Sequence, residues 1–125
     1  MKLKNNFNEE DRYLFADSHE CWYCGQNSAD SLHHIMGRGG PGSECESSIL
    51  NAAPIHNFGC HLDHHGLITT KEWQKKFLKK TYNYLVKNYY QFTNKDLDFI
   101  IKYKDYYDND IWQSAQQEKR QSDDL

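Results

Sequence analysis

Residues 57–66 read Asn57-Phe58-Gly59-Cys60-His61-Leu62-Asp63-His64-His65-Gly66. The spacing predicts a short helix closed by Gly66, because glycine is most at ease in the left-handed conformation that ends a helix. On such a helix His61 and His65 stand at i and i+4 on one face, where both imidazoles can reach the same ion. Upstream, Leu32-His33-His34-Ile35-Met36 suits a short strand, and Gly37-Arg38-Gly39-Gly40-Pro41-Gly42-Ser43 can only be a loop. Ser48 to Ile55 suits a second strand leaving that loop. The order is therefore strand, loop, strand, helix, with His33 arriving from the first strand to complete a three-histidine set. His33 and His34 point to opposite sides of a regular strand, so one chemistry can use both only through a twist, a bulge or a water.

Working outward, Cys21-Trp22-Tyr23-Cys24-Gly25 places two thiols on one tight turn. Zinc takes four soft or borderline donors in a tetrahedron, and C-x-x-C supplies two while a second segment supplies the rest. Cys60 and His56, four residues apart, are the expected second pair, with Cys45 as the alternative to His56. All seven histidines and all four cysteines fall between residues 19 and 65. Among them His19 and His64 are read as bystanders, His64 because it lies one step off the His61/His65 face.

The flanks are helical in pattern. Asn8 followed by Glu9-Glu10-Asp11 and then Tyr13, Leu14 and Phe15 reads as a capped first helix. Thr69 with Glu72 fits a capping box, and Trp73, Phe77, Tyr84 and Leu85 recur at helical spacing, predicting a long helix over about 70–90. Thr93 and Asp96 begin another in the same way, carrying Leu97, Ile100, Ile101 and Tyr107. The Gln/Ser/Asp-rich stretch 114–125 is expected to be disordered. The expectation is thus one α+β domain over 1–113, with a core at about 18–70, a helical extension at about 70–110 and a tail.

The net charge of −3 hides its distribution: residues 1–70 carry four Lys/Arg against nine Asp/Glu, and residues 71–90 carry six against one. Lys71, Lys75 and Lys79 form a basic stripe on the long helix, and Arg38 sits in the glycine-rich loop beside His33 and His34. These four are the candidate phosphate contacts. No run of eighteen apolar residues suggests a membrane span, and Met1-Lys2-Leu3-Lys4-Asn5-Asn6 lacks the apolar stretch of a secretory leader. A cytoplasmic location is expected, where C-x-x-C reads as a metal site more readily than as a disulfide.

The order Cys21-x-x-Cys24, His33-His34-Ile35 with a glycine-rich loop, Asn51, then Cys60-His61-x-x-x-His65-Gly66 resembles zinc-knuckle HNH endonucleases, especially those of phages and mobile elements. The resemblance covers about residues 18–70. It implies a ββα-metal core with a zinc knuckle, flanked here by an N-terminal helix and two C-terminal helices. It also implies DNA as substrate, a structural Zn²⁺ and one catalytic divalent ion (Mg²⁺, Mn²⁺, Ni²⁺ or Zn²⁺). By the same resemblance His34 is the general base, His33, His61 and His65 bind the catalytic ion, and Asn51 braces the hairpin loop. A phage or mobile-element partner protein would fit the same family. The chain departs from the pattern where a second C-x-x-C is usual: Asn57 stands at the first cysteine position, and His56 is the expected substitute. The rival expectation is a non-catalytic zinc-binding module that recognises nucleic acid or protein.

Overall fold

The computed structural model describes residues 14–15, 20–27, 29–37 and 47–123. The expected N-terminal helix lies outside them except for Leu14 and Phe15, as do His19, Arg38 and Cys45. Among the described residues the fold is mixed α+β, with one two-stranded antiparallel sheet and otherwise mostly helices. Strand β1 is Ser31–His34 and β2 is Ala52–Ile55, paired so that His33 faces Ala53 and His34 faces Ala52. Both are shorter than the sequence pattern suggested. Residues Ile49–Asn51, expected in the second strand, form a 3₁₀ turn because the Ser48 side chain accepts a hydrogen bond from Leu50 N and starts a turn instead.

Helices follow. They are α1 (His65–Ile68), α2 (Lys71–Lys87), α3 (Asn94–Lys102) and α4 (Asn109–Asp123). The residue capping α2 is Thr70, whose hydroxyl accepts from Trp73 N, and not Thr69, whose hydroxyl donates back to His65 O. The capping box of Thr93 and Asp96 forms as expected. The third helix ends at Lys102, so Tyr107 reaches the core from the segment beyond it. The stretch from 114, expected to be disordered, is helical to Asp123. Polar composition misled there: Ile111, Trp112 and Ala115 share a face packed on the core, and Lys119 pairs with Asp98 of α3.

Packing explains why the second strand is small-residue rich. Ala52, Ala53 and Ile55 are fully buried, and the two alanines let α2 come close with Phe77, Leu78 and Leu85. At that approach Thr81, itself fully buried, donates to Ala52 O at 2.7 Å and accepts from the Trp22 indole N–H at 2.9 Å. One hydroxyl thus joins the cysteine turn, the sheet and α2. On the other flank Asp96, 2% exposed, accepts from Ser48 Oγ at 2.6 Å, Tyr90 OH at 3.0 Å and Thr93 N at 2.9 Å. The buried carboxylate has its donors, and the turn leading to Asn51 is anchored to α3.

The α2 C-terminus closes in a Schellman pattern, with Tyr90 N bonded to Leu85 O and Tyr89 N to Val86 O. Tyr89 takes the left-handed position (φ 60°) that glycine usually fills.

Thr81→Val should lower stability by about 2–4 kcal/mol, since it strands a buried indole N–H and removes the donor to Ala52 O. Urea unfolding checks it; a change below about 0.5 kcal/mol would show that the shared hydroxyl is dispensable.

Candidate metal centres

The first centre starts from the cysteine turn. Gly25, at φ 77°, lets the chain double back so that Gly25 N bonds Cys21 O and Cys21 N bonds Gln26 O, both at 2.9 Å. Trp22 N bonds Pro54 O at 2.8 Å, docking the turn on β2. From the other side, residues 57–61 make a wide turn, not the expected helix: Phe58 is extended and Gly59 has φ 85°. Gly66 therefore lies inside α1 and caps nothing. This break in the helix swings Cys60 back towards His56, so the four donor atoms of Cys21, Cys24, His56 and Cys60 lie within 4.8 Å of one another. Cys21 Sγ is 3.7 Å from Cys60 Sγ, and His56 Nδ1 is 3.4 Å from Cys24 Sγ and 3.6 Å from Cys60 Sγ. Three thiols and one imidazole at this spacing could hold a metal ion such as zinc.

The surroundings match that donor set. His56 Nε2 lies 2.8 Å from Asn27 O, the hydrogen bond that leaves Nδ1 facing the sulfurs as a donor to metal. Asn27 O also holds the His56 pKa above its ordinary value. Asn57, at the position of the missing cysteine, has its side-chain Oδ1 3.4 Å from His61 Nδ1 and gives its backbone N–H to Asp30 Oδ1. Burial raises the Cys21 thiol, but hydrogen bonds at Cys24, His56 and Tyr23 outweigh it and bring it below the usual value. Cys60 is pushed up to about 12 by burial and by the Cys21 and Cys24 sulfurs. Three thiolates cannot share this space without a cation among them. Asn27 and Asp30 were not legible as supports from spacing alone.

The second group gathers around β1. His33 is buried, and its ring centroid lies 4.9 Å from that of His61 and 6.4 Å from that of His65, with His61 and His65 5.5 Å apart. Two imidazoles on one tetrahedral ion, with metal–nitrogen bonds of about 2.1 Å, have centroids roughly 5 Å apart. The His61 pairs match; His65, which is exposed, would have to swing inward. The group is looser than the cysteine cluster, which is the ready-made donor set among the described residues. Burial, reinforced by His61, His65 and His34, takes His33 down to about 3, and burial with His65 lowers His61. Both are neutral near pH 7, the state that binds metal. His33 Nε2 is buried and has no hydrogen-bond partner among the described residues.

Asn51 stands behind this group, fully buried. Its Oδ1 accepts from Met36 N at 2.7 Å and its Nδ2 donates to Met36 O at 3.0 Å, while its own carbonyl accepts from Ile35 N at 2.9 Å. The backbone just past His33 and His34 is clamped by three bonds. The lysine stripe is partly committed elsewhere: Lys79 pairs with Asp108 at 3.6 Å and Lys71 lies 5.5 Å over the Tyr106 ring, leaving Lys75 exposed between them. No helix among the described residues is long and apolar enough to cross a membrane. Compared with protein-family models, curated proteins and solved structures, the chain matches none.

Chelation at pH 7, or Cys21→Ala or Cys24→Ala, should abolish cooperative unfolding, because bound zinc contributes on the order of 10–16 kcal/mol to such folds. Acid acts the same way. His33 has a folded pKa of about 3 against an unfolded 6.5, so its contribution is intact above pH 6.5 and is lost as pH falls towards 3. The thiolates also take up protons and release metal as pH falls. Zinc content and Tm should therefore fall together between pH 7 and 5; a Tm indifferent to both chelator and acid would rule out the metal clasp.

Proposed function

We propose that the chain is a metal-dependent endonuclease of the HNH type that hydrolyses phosphodiester bonds in DNA. In this reading Cys21, Cys24, His56 and Cys60 form the knuckle that holds a structural Zn²⁺. His33, His61 and His65 hold one catalytic divalent ion, His34 is the general base, and Asn51 fixes the backbone that presents them. The observation that carries the reading is the buried, unpartnered Nε2 of His33 beside two further imidazoles. A buried polar atom without a partner costs about 1–3 kcal/mol, which a ligand bound there removes. The order of elements, two antiparallel strands, then a turn ending in His61 and a short helix that begins at His65, adds to it.

Bound at that group, Mg²⁺, Mn²⁺, Ni²⁺ or Zn²⁺ would supply Lewis-acid stabilisation of charge on the phosphate oxygens. The chain's own residues do the rest. His33 and His61 arrive neutral and need no deprotonation to act as ligands. His34, next along β1, is the imidazole left to accept the proton of an attacking water. The Asn51 clamp on Met36 keeps the end of β1 from fraying, so that imidazole is held in place before substrate arrives. Arg38 and Lys75 are the cations this reading assigns to neighbouring phosphates. The rival reading, a zinc-binding interaction module, draws on one fact: the cysteine cluster is complete without any of these histidines.

Plasmid cleavage by metal-stripped and re-zinced protein, with Mg²⁺, Mn²⁺ or Ni²⁺ added in turn, tests it. Cleavage should require an added ion or excess zinc, and His34→Ala should lose at least about two orders of magnitude while keeping structural zinc. No cleavage under any ion, with zinc bound, would favour the interaction module; full activity in His34→Ala would remove His34 from the mechanism.

A further inference from the structure

The sequence pattern picks out Lys71, Lys75 and Lys79 as the basic stripe of α2, but two of them are engaged by the segment before α4: Lys79 pairs with Asp108 and Lys71 lies over the Tyr106 ring. The row that faces solvent is another. Lys76, Lys80, Asn83 and Lys87 stand at i, i+4, i+7 and i+11, all exposed, along about 16 Å of one helix edge. Among the described residues Lys80 and Lys87 make no ion pair. Lys76 meets Glu72 at 3.4 Å with both side chains more than half exposed, a pairing too weak in water to withhold the ammonium from a phosphate.

Aromatic rings position two of these ammonium groups. Lys76 Nζ lies 4.5 Å from the Trp73 ring centroid and Lys80 Nζ 5.9 Å from that of Trp22. Such contacts steady a charge without neutralising it. Trp73 in turn packs on Tyr23 at 4.8 Å between centroids, and Tyr23 on His64 at 5.1 Å, the residue between His61 and His65. Contacts therefore run unbroken from the neighbourhood of the histidine group, across the cysteine turn, to the lysine row.

We propose that Lys76, Lys80 and Lys87 form a track for the phosphate backbone of double-stranded DNA on the cysteine-turn side of α2, which holds the duplex while one of its phosphodiesters lies at the histidine group. The inference deepens the nuclease reading above and rests on it for the choice of DNA. Charge complementarity selects the face: residues 71–90 carry six basic against one acidic residue, whereas 1–70 carry four against nine and 91–125 five against eight. A polyanion is drawn to α2 and repelled elsewhere, so the imbalance sets orientation as well as affinity.

The form of the DNA follows from what lines the track. Trp22 is 6% exposed, and Tyr23 and Trp73 are packed against each other, so these rings hold lysines and give no open platform for unpaired bases. Point charges at fixed intervals on a helix suit the regular phosphates of a duplex, where charge is densest and counterion release per contact is greatest.

The test is fluorescence anisotropy with the zinc-loaded His34→Ala protein, full chain, so that the probe is not cut. The probes are a labelled duplex of about twenty base pairs and one of its strands alone; the duplex should bind at least about threefold tighter. Two double variants in that background remove the same charge: Lys80→Gln with Lys87→Gln from the track, and Lys71→Gln with Lys79→Gln from the engaged row. The first should weaken duplex binding at about 100 mM salt by at least about tenfold and flatten the slope of log affinity against log salt by about two, while the second should change affinity by less than about threefold. Lys80→Arg with Lys87→Arg should bind as the parent does, since the charge is kept. Lys80 and Lys87 are exposed, so zinc content and Tm should stay unchanged in the first variant, which separates lost contacts from lost fold. Equal losses in the two glutamine variants, or tighter binding of the single strand, overturns the track. If the wild-type protein still cuts plasmid in that case, the nuclease reading survives. Duplex held by Lys80 and Lys87 with no cleavage under any ion supports the track and removes the nuclease reading; if the protein neither binds nor cuts DNA, both fall.

Discussion

Three thiols and an imidazole drawn from segments more than thirty residues apart in sequence meet within 4.8 Å, and much else in the molecule presupposes that meeting. A sheet of two four-residue strands has too little ladder to stand alone in water. The cysteine turn is bonded to Pro54 O on β2, the His56–Cys60 turn follows β2 directly, and the two sides of the cluster therefore close around the strand. An ion at this point would act as a cross-link between the start and the end of the core, and because thiolates repel one another the three sulfurs can be deprotonated together only around a cation.

Helices α2 and α3 have a second, complementary part. Thr81 and Asp96 are both buried polar residues facing the sheet region, and each terminates a chain of hydrogen bonds that leads back to backbone near the histidines. Thr81 links Trp22 to Ala52 O, opposite His34 in the ladder. Asp96 holds Ser48, which starts the turn ending in Asn51, which in turn clamps Met36. The helical extension is therefore part of the scaffold that sets the candidate centre. Buried polar contacts of this kind specify one arrangement, because every alternative leaves a donor or acceptor unmatched.

Much of this could be read in the chain beforehand. C-x-x-C reflects a fixed local geometry, and the structure brings Cys21, Cys24, His56 and Cys60 together; His33 and His61 lie close, while His65 stays exposed. The parts that could not be read depend on non-local geometry. Residues 57–66 have a helical interval, yet the backbone between Phe58 and His61 is shaped by the need to return Cys60 to His56, which no local propensity encodes. The 3₁₀ turn at Ile49–Asn51 hides in an apolar run because its cause is one serine hydroxyl. The fourth helix was obscured by a Gln- and Asp-rich composition, although Ile111 and Ala115 at i and i+4 carried the signal. The roles proposed for His34 and Asn51 in chemistry rest on likeness of motif order, while the Asn51 clamp itself is read from its hydrogen bonds to Met36.

Trp22 gives the molecule an optical property of its own. Its indole is 6% exposed, follows Cys21 in the chain, bonds Thr81 and meets Phe15 and Tyr84 edge-on. The other two tryptophans, Trp73 and Trp112, are only half-buried. Blue-shifted emission from this protein therefore reports largely on one ring, and that ring sits where the cysteine turn, the sheet and α2 come together. Undocking of any of the three would hydrate it and move its emission to the red, so the fold carries an internal chromophore tuned to its own junction.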